Sequence, residues 1–89
     1  MIETKITIIN KLGLHARAAA KFAKTASRFS SSIKAGNGKS FVDGKSVMSL
    51  MLLAANRGTE LELVIEGRDE SAALTALEEL INNRFDEEE

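Results

Sequence analysis

The stretch TELELVIEG, Thr59–Gly67, decides the fold class of this 89-residue chain. On a β-strand, side chains two residues apart share one face of the sheet. One face of this strand carries Leu61, Leu63 and Ile65, and the other carries Glu60, Glu62, Val64 and Glu66. A strand with one apolar and one wet face is typical of an antiparallel sheet that is covered on one side only.

The segments around this strand predict the order β-α-β-β-α-β-α. The predicted elements are a strand Ile2–Ile9, a helix from Ala16, strands Ser32–Ala35 and Ser40–Asp43, a helix Val47–Ala55, the strand within Thr59–Gly67, and a helix after Asp69. Asn37-Gly38 predicts a two-residue hairpin turn, Ser46 and Asp69 are predicted N-caps, and Gly58 is a predicted helix stop. Helices on one face of an antiparallel sheet make an α+β fold, a two-layer open-faced β-sandwich, here a single domain spanning residues 1–89.

Composition excludes several functional classes. The chain has no cysteine and one histidine, which excludes a disulfide framework and argues against a zinc or copper site. Its longest apolar run, Val47–Ala55, is far shorter than the ~20 residues of a membrane-spanning helix, and no signal peptide is recognisable. We therefore expect a cytoplasmic protein without membrane insertion, metal or cofactor.

Charge is distributed unevenly along the chain, although the net charge is only −1. Residues 1–57 carry ten Lys or Arg against two acids, and residues 58–89 carry two against eleven. The terminal run Asp86–Glu89 is predicted to be a frayed, solvated tail, the usual behaviour of such a run.

The helix that begins at Ala16 has an apolar face and a basic face. The apolar positions are Ala19, Phe22, Ala23, Ala26 and Phe29. The basic positions are Arg17, Lys21, Lys24 and Arg28, at the spacing of one helical face. A basic face of this kind steers acidic partners in some proteins, although by itself it is more often only solvated.

His15, the only histidine, lies in the stretch NKLGLHARAAAKFAK between a Gly-Leu turn and this helix. The unpaired N–H groups of a first helical turn favour an anion and disfavour an imidazolium, so His15 is predicted to be biased toward its neutral, nucleophilic form. Arg17 can bring its fork of donors to a phosphate, Lys11 adds charge, and Gly13 supplies backbone freedom. These groups together suit a covalently held phosphoryl group, whereas a lone histidine is more often a simple cap or an exposed side chain.

The sequence Gly44-Lys45-Ser46 does not make a nucleotide-binding P-loop. That motif needs a glycine five residues before its Gly-Lys pair, and Lys39 occupies that position. A nucleotide-binding fold of this kind is therefore excluded.

Two blocks of the sequence resemble the histidine-containing phosphocarrier (HPr) family of the bacterial sugar phosphotransferase system. The first is GLHAR, preceded by Asn10 and followed by an alanine-rich helix, and the second is DGKSVMSLMLLAANRGTELELVIEG. The resemblance covers essentially the whole chain. It implies that Nδ1 of His15 accepts phosphate through enzyme I and passes it to IIA components of sugar permeases, and that Arg17 binds the phosphate. It also implies the antiparallel strand order 1-4-2-3.

One residue departs from the family pattern, since proline usually follows HAR and this chain has Ala18. Proline pre-sets φ in a first helical turn and lacks an N–H that would be unpaired there, but alanine is an excellent helix former. We expect the helix to begin near Ala16 all the same, and phosphotransfer to survive.

The second block adds regulatory and docking candidates. Ser46 is a predicted N-cap, and the resemblance implies that it matches the serine phosphorylated by HPr kinase in many bacteria. Val47, Leu50 and Leu53 are expected to face the core, which leaves Met48 and Met51 as candidates for an exposed patch. The family docks enzyme I and IIA through this helix and the His15 helix, so the candidate partner-binding residues are Lys21, Lys24, Arg28, Val47, Met48 and Met51.

Three other functions are weighed against the sugar phosphocarrier, which as a covalent relay would not itself be an enzyme. The acidic tail is compatible with the carrier of the nitrogen-related phosphotransferase system. A nucleic-acid-binding module would need stacking aromatics on its strands, and only Phe41 lies on one. A regulator that had lost phosphotransfer would be expected to have replaced His15. We expect a monomer that binds no nucleic acid.

Overall fold

The strand quoted above lies inside the sheet, where its alternation buries one face. The computed structural model describes all residues, Met1–Glu89. Its sheet is antiparallel and contains β1 (Ile2–Thr7), β2 (Ser32–Gly36), β3 (Phe41–Asp43) and β4 (Glu60–Glu66) in the order β1-β4-β2-β3. The predicted fold and the strand order 1-4-2-3 are therefore confirmed.

The register of β4 joins the apolar rows of three strands. Leu63 lies opposite Thr4 of β1 and Ala35 of β2, and Ile65 lies opposite Ile33 of β2. Leu61, Leu63 and Ile65 are fully buried, as the alternation predicts. A one-residue slip would turn this row to solvent, so the pattern itself fixes the register.

Three helices complete the second layer: α1 (Ala16–Ala26), α2 (Val47–Leu52) and α3 (Glu70–Asn82). The predicted face of α1 is buried through Phe22, Ala23 and Ala26, and α3 buries Ala73, Leu77 and Ile81. Both stripes contribute to a single hydrophobic core under the sheet. None of these helices combines the length and apolarity that crossing a membrane requires.

The β2–β3 turn is centred one residue later than predicted. Gly36 pairs with Phe41, and Asn37 N–H donates to Ser40 O, so the turn residues are Gly38 and Lys39. The cause is the Asn37 side chain, whose Oδ1 accepts from the backbone N–H of Lys39 and of Ser40 and so holds Asn37 at the turn's entry.

The helix predicted over Val47–Ala55 is shorter than expected. It ends at Leu52, and Ala54 has a left-handed backbone with φ of 52°. The Ala55 carbonyl accepts from Leu14 N–H at 2.8 Å, so the chain turns early to pair with the loop before His15. Gly58, the predicted stop, instead lies in the turn that leads into β4.

Asp69 occupies the N-cap position of α3 but does not cap it. Its carboxylate accepts hydrogen bonds from Ser30 and Ser31, beyond the C-terminal end of α1. Hydrogen bonds to this tight serine loop thus replace the predicted capping contact.

Candidate functional site

His15 is the N-cap of α1. Its backbone is extended (φ −77°, ψ −179°), its carbonyl accepts from Ala19 N–H at 2.7 Å, and its side chain makes no capping hydrogen bond. The imidazole is therefore not consumed by capping, and α1 begins at Ala16 as expected despite Ala18. The N–H groups of a first helical turn have no partner within the helix, so they can bind an anion next to His15 in the chain.

Gly13 makes the approach to His15 possible. Its φ is +69°, and a Cβ there would lie 2.5 Å from the Ala55 carbonyl oxygen. Only glycine fits so close a contact with a left-handed backbone. The loop before His15 is thereby fixed against the chain segment that follows α2.

Arg17 lies in the first turn of α1 and is exposed. It lines a surface depression with Lys11, Glu87 and the last two residues of the chain. Glu87, the carboxylate partner of the His15 ring, lines the same depression. The structure thus brings His15 and Arg17 to one end of one helix.

Glu87 is the residue at this site that the sequence reasoning missed. Its Oε2 lies in hydrogen-bond contact with His15 Nε2, and its Oε1 accepts from Asn10 Nδ2 at 3.0 Å. The Glu87 side chain is only 14% exposed and that of His15 only 24%. Asn10 is fully buried, and its Nδ2 also donates to Gly13 O at 2.8 Å.

The environment of Glu87 favours its ionised form. Partial burial acts to raise its pKa, but hydrogen bonds from Asn10 and His15 and the charge of Arg17 act the other way, and the pKa lies below its ordinary value. The carboxylate is therefore charged at neutral pH.

The C-terminal tail is docked on the protein, although the sequence predicts a frayed tail. Phe85 is fully buried, and its carbonyl accepts from Lys21 Nζ at 2.8 Å. Lys21 also pairs with Asp86, and Lys11 Nζ lies 3.3 Å from Glu89. The acidic end thus lies against basic residues from the first half of the chain, so the uneven charge distribution places opposite charges together. An aromatic residue just before the acidic run was the available signal for this anchor.

The docking candidates differ in accessibility. Lys24 and Arg28 are exposed, whereas Lys21 is engaged with the tail. On α2, Met48 is 76% exposed and Met51 is also exposed, while Val47 is half-buried.

Two further apolar residues extend this surface, Leu12 and the 82% exposed Leu52, which sequence reasoning did not select. Leu12 and Met51 line a depression together with His15. An unusually apolar α2 sequence was the signal for Leu52, since one helix face cannot bury every side chain.

Ser46 caps α2 as predicted, because its Oγ accepts from Ser49 N–H at 3.2 Å. It is half-buried at the helix N-terminus, where added negative charge is electrostatically tolerable.

Comparison with known proteins finds a matching family. A family model described as "PTS HPr component phosphorylation site" matches residues 2–83. The phosphocarrier protein HPr of Pseudomonas aeruginosa is 62% identical over 86 residues, which cover 96% of each chain.

Solved structures agree as well. A crystal structure of HPr-C-His from Thermoanaerobacter tengcongensis superposes with a TM-score of 0.95 at 46% identity over the whole of both chains. A structure of an HPr dimer from the same organism has a TM-score of 0.78 at 46% identity and covers 98% of this chain and all of that one.

Proposed function

This chain belongs to the HPr family of phosphocarriers of the phosphotransferase system, and from that premise we propose that Nδ1 of His15 accepts a phosphoryl group from enzyme I and delivers it to IIA components of sugar permeases. The observation that carries the proposal is the position of His15. Its side chain makes no capping hydrogen bond at the N-terminus of α1, and Arg17 lies in the first turn. Positioning and charge stabilisation are what phosphoryl transfer requires of a protein.

The first turn of α1 supports the transfer chemically. Unpaired N–H groups and the arginine fork stabilise the oxygens of the phosphoryl group, whose charge they complement. The imidazole is the nucleophile, so the chain carries phosphate covalently between two partners. It acts as a substrate-like component of the relay and not as an enzyme in its own right.

The direct experiment incubates the protein with phosphoenolpyruvate and enzyme I and measures its intact mass. We expect one added phosphoryl group that is lost in acid and is absent from the His15→Ala variant. An acid-stable adduct, or an adduct that persists in His15→Ala, would place the phosphate elsewhere. No addition to the wild-type protein would overturn the proposal.

Exposed apolar groups near His15 and basic groups farther along α1 support docking of enzyme I and IIA on this surface of the molecule. Met48 and Met51 supply adaptable apolar contacts, and Lys24 and Arg28 supply charge that attracts acidic surfaces. Val47 contributes less, because it is half-buried, and Lys21 must first leave the tail. Met48→Glu should weaken transfer from enzyme I, with Phe41→Glu as a control at an exposed apolar residue of β3, outside the proposed docking surface.

Ser46 is proposed to be the site of regulation by HPr kinase. A phosphate there adds about −1.5 to −2 charges, which α2 tolerates at its N-terminus but an acidic partner surface does not. Ser46→Asp should therefore slow transfer to His15 while leaving the fold intact. Ser46→Ala separates the effect of charge from that of the cap, because it removes the capping hydroxyl, a loss of about 1 kcal/mol of stability, without adding charge.

The sugar branch is proposed over the nitrogen-related branch because the second block resembles the sugar carrier. The two are told apart by offering the phosphorylated protein to IIA components of both systems and measuring which accepts phosphate. We propose a cytoplasmic monomer, although a relative has been solved as a dimer. Light scattering at micromolar concentration tests the monomer.

A further inference from the structure

A single contact between the C-terminal tail and the reactive ring is unexplained by the proposed function. Glu87 Oε2 lies against His15 Nε2, across 72 residues of sequence. Nothing in the protein hydrogen-bonds Nδ1 of the same ring. The two ring nitrogens are therefore in different environments, one held by a carboxylate and one free.

An ionised carboxylate can only accept hydrogen bonds, so the Nε2 that meets it must carry a proton. In a neutral imidazole the other nitrogen then holds the lone pair. Building on the proposed function, we propose that Glu87 is a positioning residue for phosphoryl transfer, which holds His15 as the Nε2–H tautomer and so presents Nδ1 as the nucleophile. A carboxylate that orients a catalytic imidazole through its far nitrogen acts in the same way in hydrolase triads.

The contact also suits the charge that develops during transfer. The Nδ1 lone pair forms a bond to phosphorus while the bond from phosphorus to the donor protein's carrying atom breaks, and that electron pair returns to the donor. The ring keeps its Nε2 proton and becomes positively charged, so the carboxylate opposite stabilises the product. On onward transfer the P–N bond breaks, its electron pair returns to Nδ1, and the neutral Nε2–H ring is restored.

Asn10 fixes which carboxylate oxygen meets the ring. Its Nδ2 donates both to Gly13 O at 2.8 Å and to Glu87 Oε1 at 3.0 Å. Asn10 cannot turn its amide over without losing the bond to Gly13. The buried asparagine is therefore a fixed donor, and whatever stands at the Oε1 position must be an acceptor.

The chain bends sharply just before Glu87. Arg84, Phe85 and Asp86 have φ of 55°, 53° and 64°, three consecutive left-handed residues of which none is glycine. Such backbone is unfavourable for these residue types, and the complete burial of Phe85 opposes that cost. The tail therefore has a defined path and does not lie on the site merely through charge attraction.

Glu87→Gln is the sharpest test, because Asn10 dictates how the new amide sits. The carbonyl of the substituted side chain must face Asn10, so its NH₂ faces His15 and donates to Nε2, which forces the proton onto Nδ1. We expect the ¹⁵N chemical shifts of the neutral ring to show Nε2–H in the wild-type protein and Nδ1–H in Glu87→Gln. The other charged groups that line the depression with Glu87, namely Arg17, Lys11, Glu88 and Glu89, are unchanged in this variant. Each protein is measured at a pH where its His15 ring is neutral, because only the neutral ring has two tautomers.

The control is Glu88→Gln, which removes the same charge from a neighbouring position and should leave the tautomer unchanged. Glu87→Ala is a second variant that removes the contact without supplying a donor, and it should give a mixture of tautomers. Melting temperatures of all four proteins show that each is folded. An unaltered Nε2–H ring in both Glu87 variants overturns the proposal.

Kinetics distinguish this role from simple masking of the site. We expect phosphorylation of Glu87→Gln by phospho-enzyme I to be at least about tenfold slower than wild type, because the nucleophilic lone pair is on the wrong nitrogen. Faster phosphorylation of either Glu87 variant would instead mean that the tail blocks the ring, and would overturn the proposal. A wild-type protein that accepts no phosphate would defeat the proposed function alone, because the tautomer measurement does not use phosphotransfer.

Discussion

The two ends of α1 are each held by a carboxylate that comes from far along the chain. At the C-terminal end, Asp69 accepts from the backbone N–H of Ser30 at 2.9 Å and of Ser31 at 3.0 Å, and from both serine hydroxyls. At the N-terminal end, Glu87 accepts from Asn10 and from the His15 ring. Each carboxylate accepts hydrogen bonds on both of its oxygens, but the donors differ.

The donors decide what each carboxylate does. None of the donors to Asp69 titrates or reacts, and their hydrogen bonds, led by that of the Ser31 hydroxyl, lower its pKa from 3.8 to about 2. One donor to Glu87 is the imidazole that we propose as the nucleophile, whose charge changes during transfer. On that proposal the same interaction is structural at one end of α1 and takes part in the chemistry at the other.

The largest effect should follow from removing Arg17, the side chain proposed to bind the phosphate at the N-terminal end of α1. Arg17→Ala is expected to slow phosphorylation of His15 about a hundredfold, the usual effect of losing one preorganised donor to a developing charge. Its melting temperature should barely move, because Arg17 is exposed. Stopped-flow or quench measurements with phospho-enzyme I test the rate. Arg17→Lys keeps the charge but not the forked pair of donors, so its rate should lie between those of the wild type and Arg17→Ala.

The opposite result is expected at the C-terminal end. Asp69→Asn replaces one acceptor oxygen by an NH₂ group that faces serine donors, so the melting temperature should fall while the rate of phosphotransfer stays at the wild-type value. Thermal denaturation and the transfer assay are run on the same sample. A variant that melts normally but transfers slowly would remove the distinction between the two ends.

Lowering the pH should weaken both contacts, because each carboxylate is eventually protonated. Both carboxylates have a lowered pKa in the folded protein, so each contributes stability above the pKa of the unfolded chain and loses it as pH falls. The Asp69 contribution is then lost between about pH 4 and about pH 2. The Ser31 amide resonance should follow a titration centred near pH 2, and a midpoint near 3.8 would contradict the account.

The smallest effect is expected at Ala18, where the family usually has proline. The residue is fully buried in the first turn of α1, where an N–H has no helical partner to lose. Ala18→Pro should raise the free energy of unfolding by about 0.5 kcal/mol, because proline lowers the conformational entropy of the unfolded chain. Phosphotransfer should be nearly unchanged. Chemical denaturation measures the first quantity. A large gain in transfer rate would mean that Ala18 impairs the natural protein.

Local patterns in the sequence were enough to predict the strands, the helices and half of the site, whereas the strand order followed from the family resemblance. Alternation in β4 fixed its buried row, and the motif around His15 placed that residue and Arg17 together. The contacts of Asp69 and Glu87 were missed because they join residues 38 and 72 positions apart, and no local pattern encodes them. Asp69 in particular fits the pattern of an N-cap, and only the folded serine loop offers it better donors.

The errors at turns have a different origin. Asn37 uses its side chain to set the hairpin one residue late, and α2 ends early because Ala55 O is needed by Leu14. Both outcomes depend on side-chain or tertiary hydrogen bonds that compete with the local preference. Residue type alone does not reveal which of the competing hydrogen bonds will form.

The most direct test of the account is to phosphorylate protein labelled with ¹⁵N in its histidine and to ask which ring nitrogen is coupled to ³¹P. The account predicts a one-bond coupling to Nδ1 of His15, with a proton on the Nε2 that faces Glu87. Coupling to Nε2, or phosphate on any residue other than His15, would contradict it.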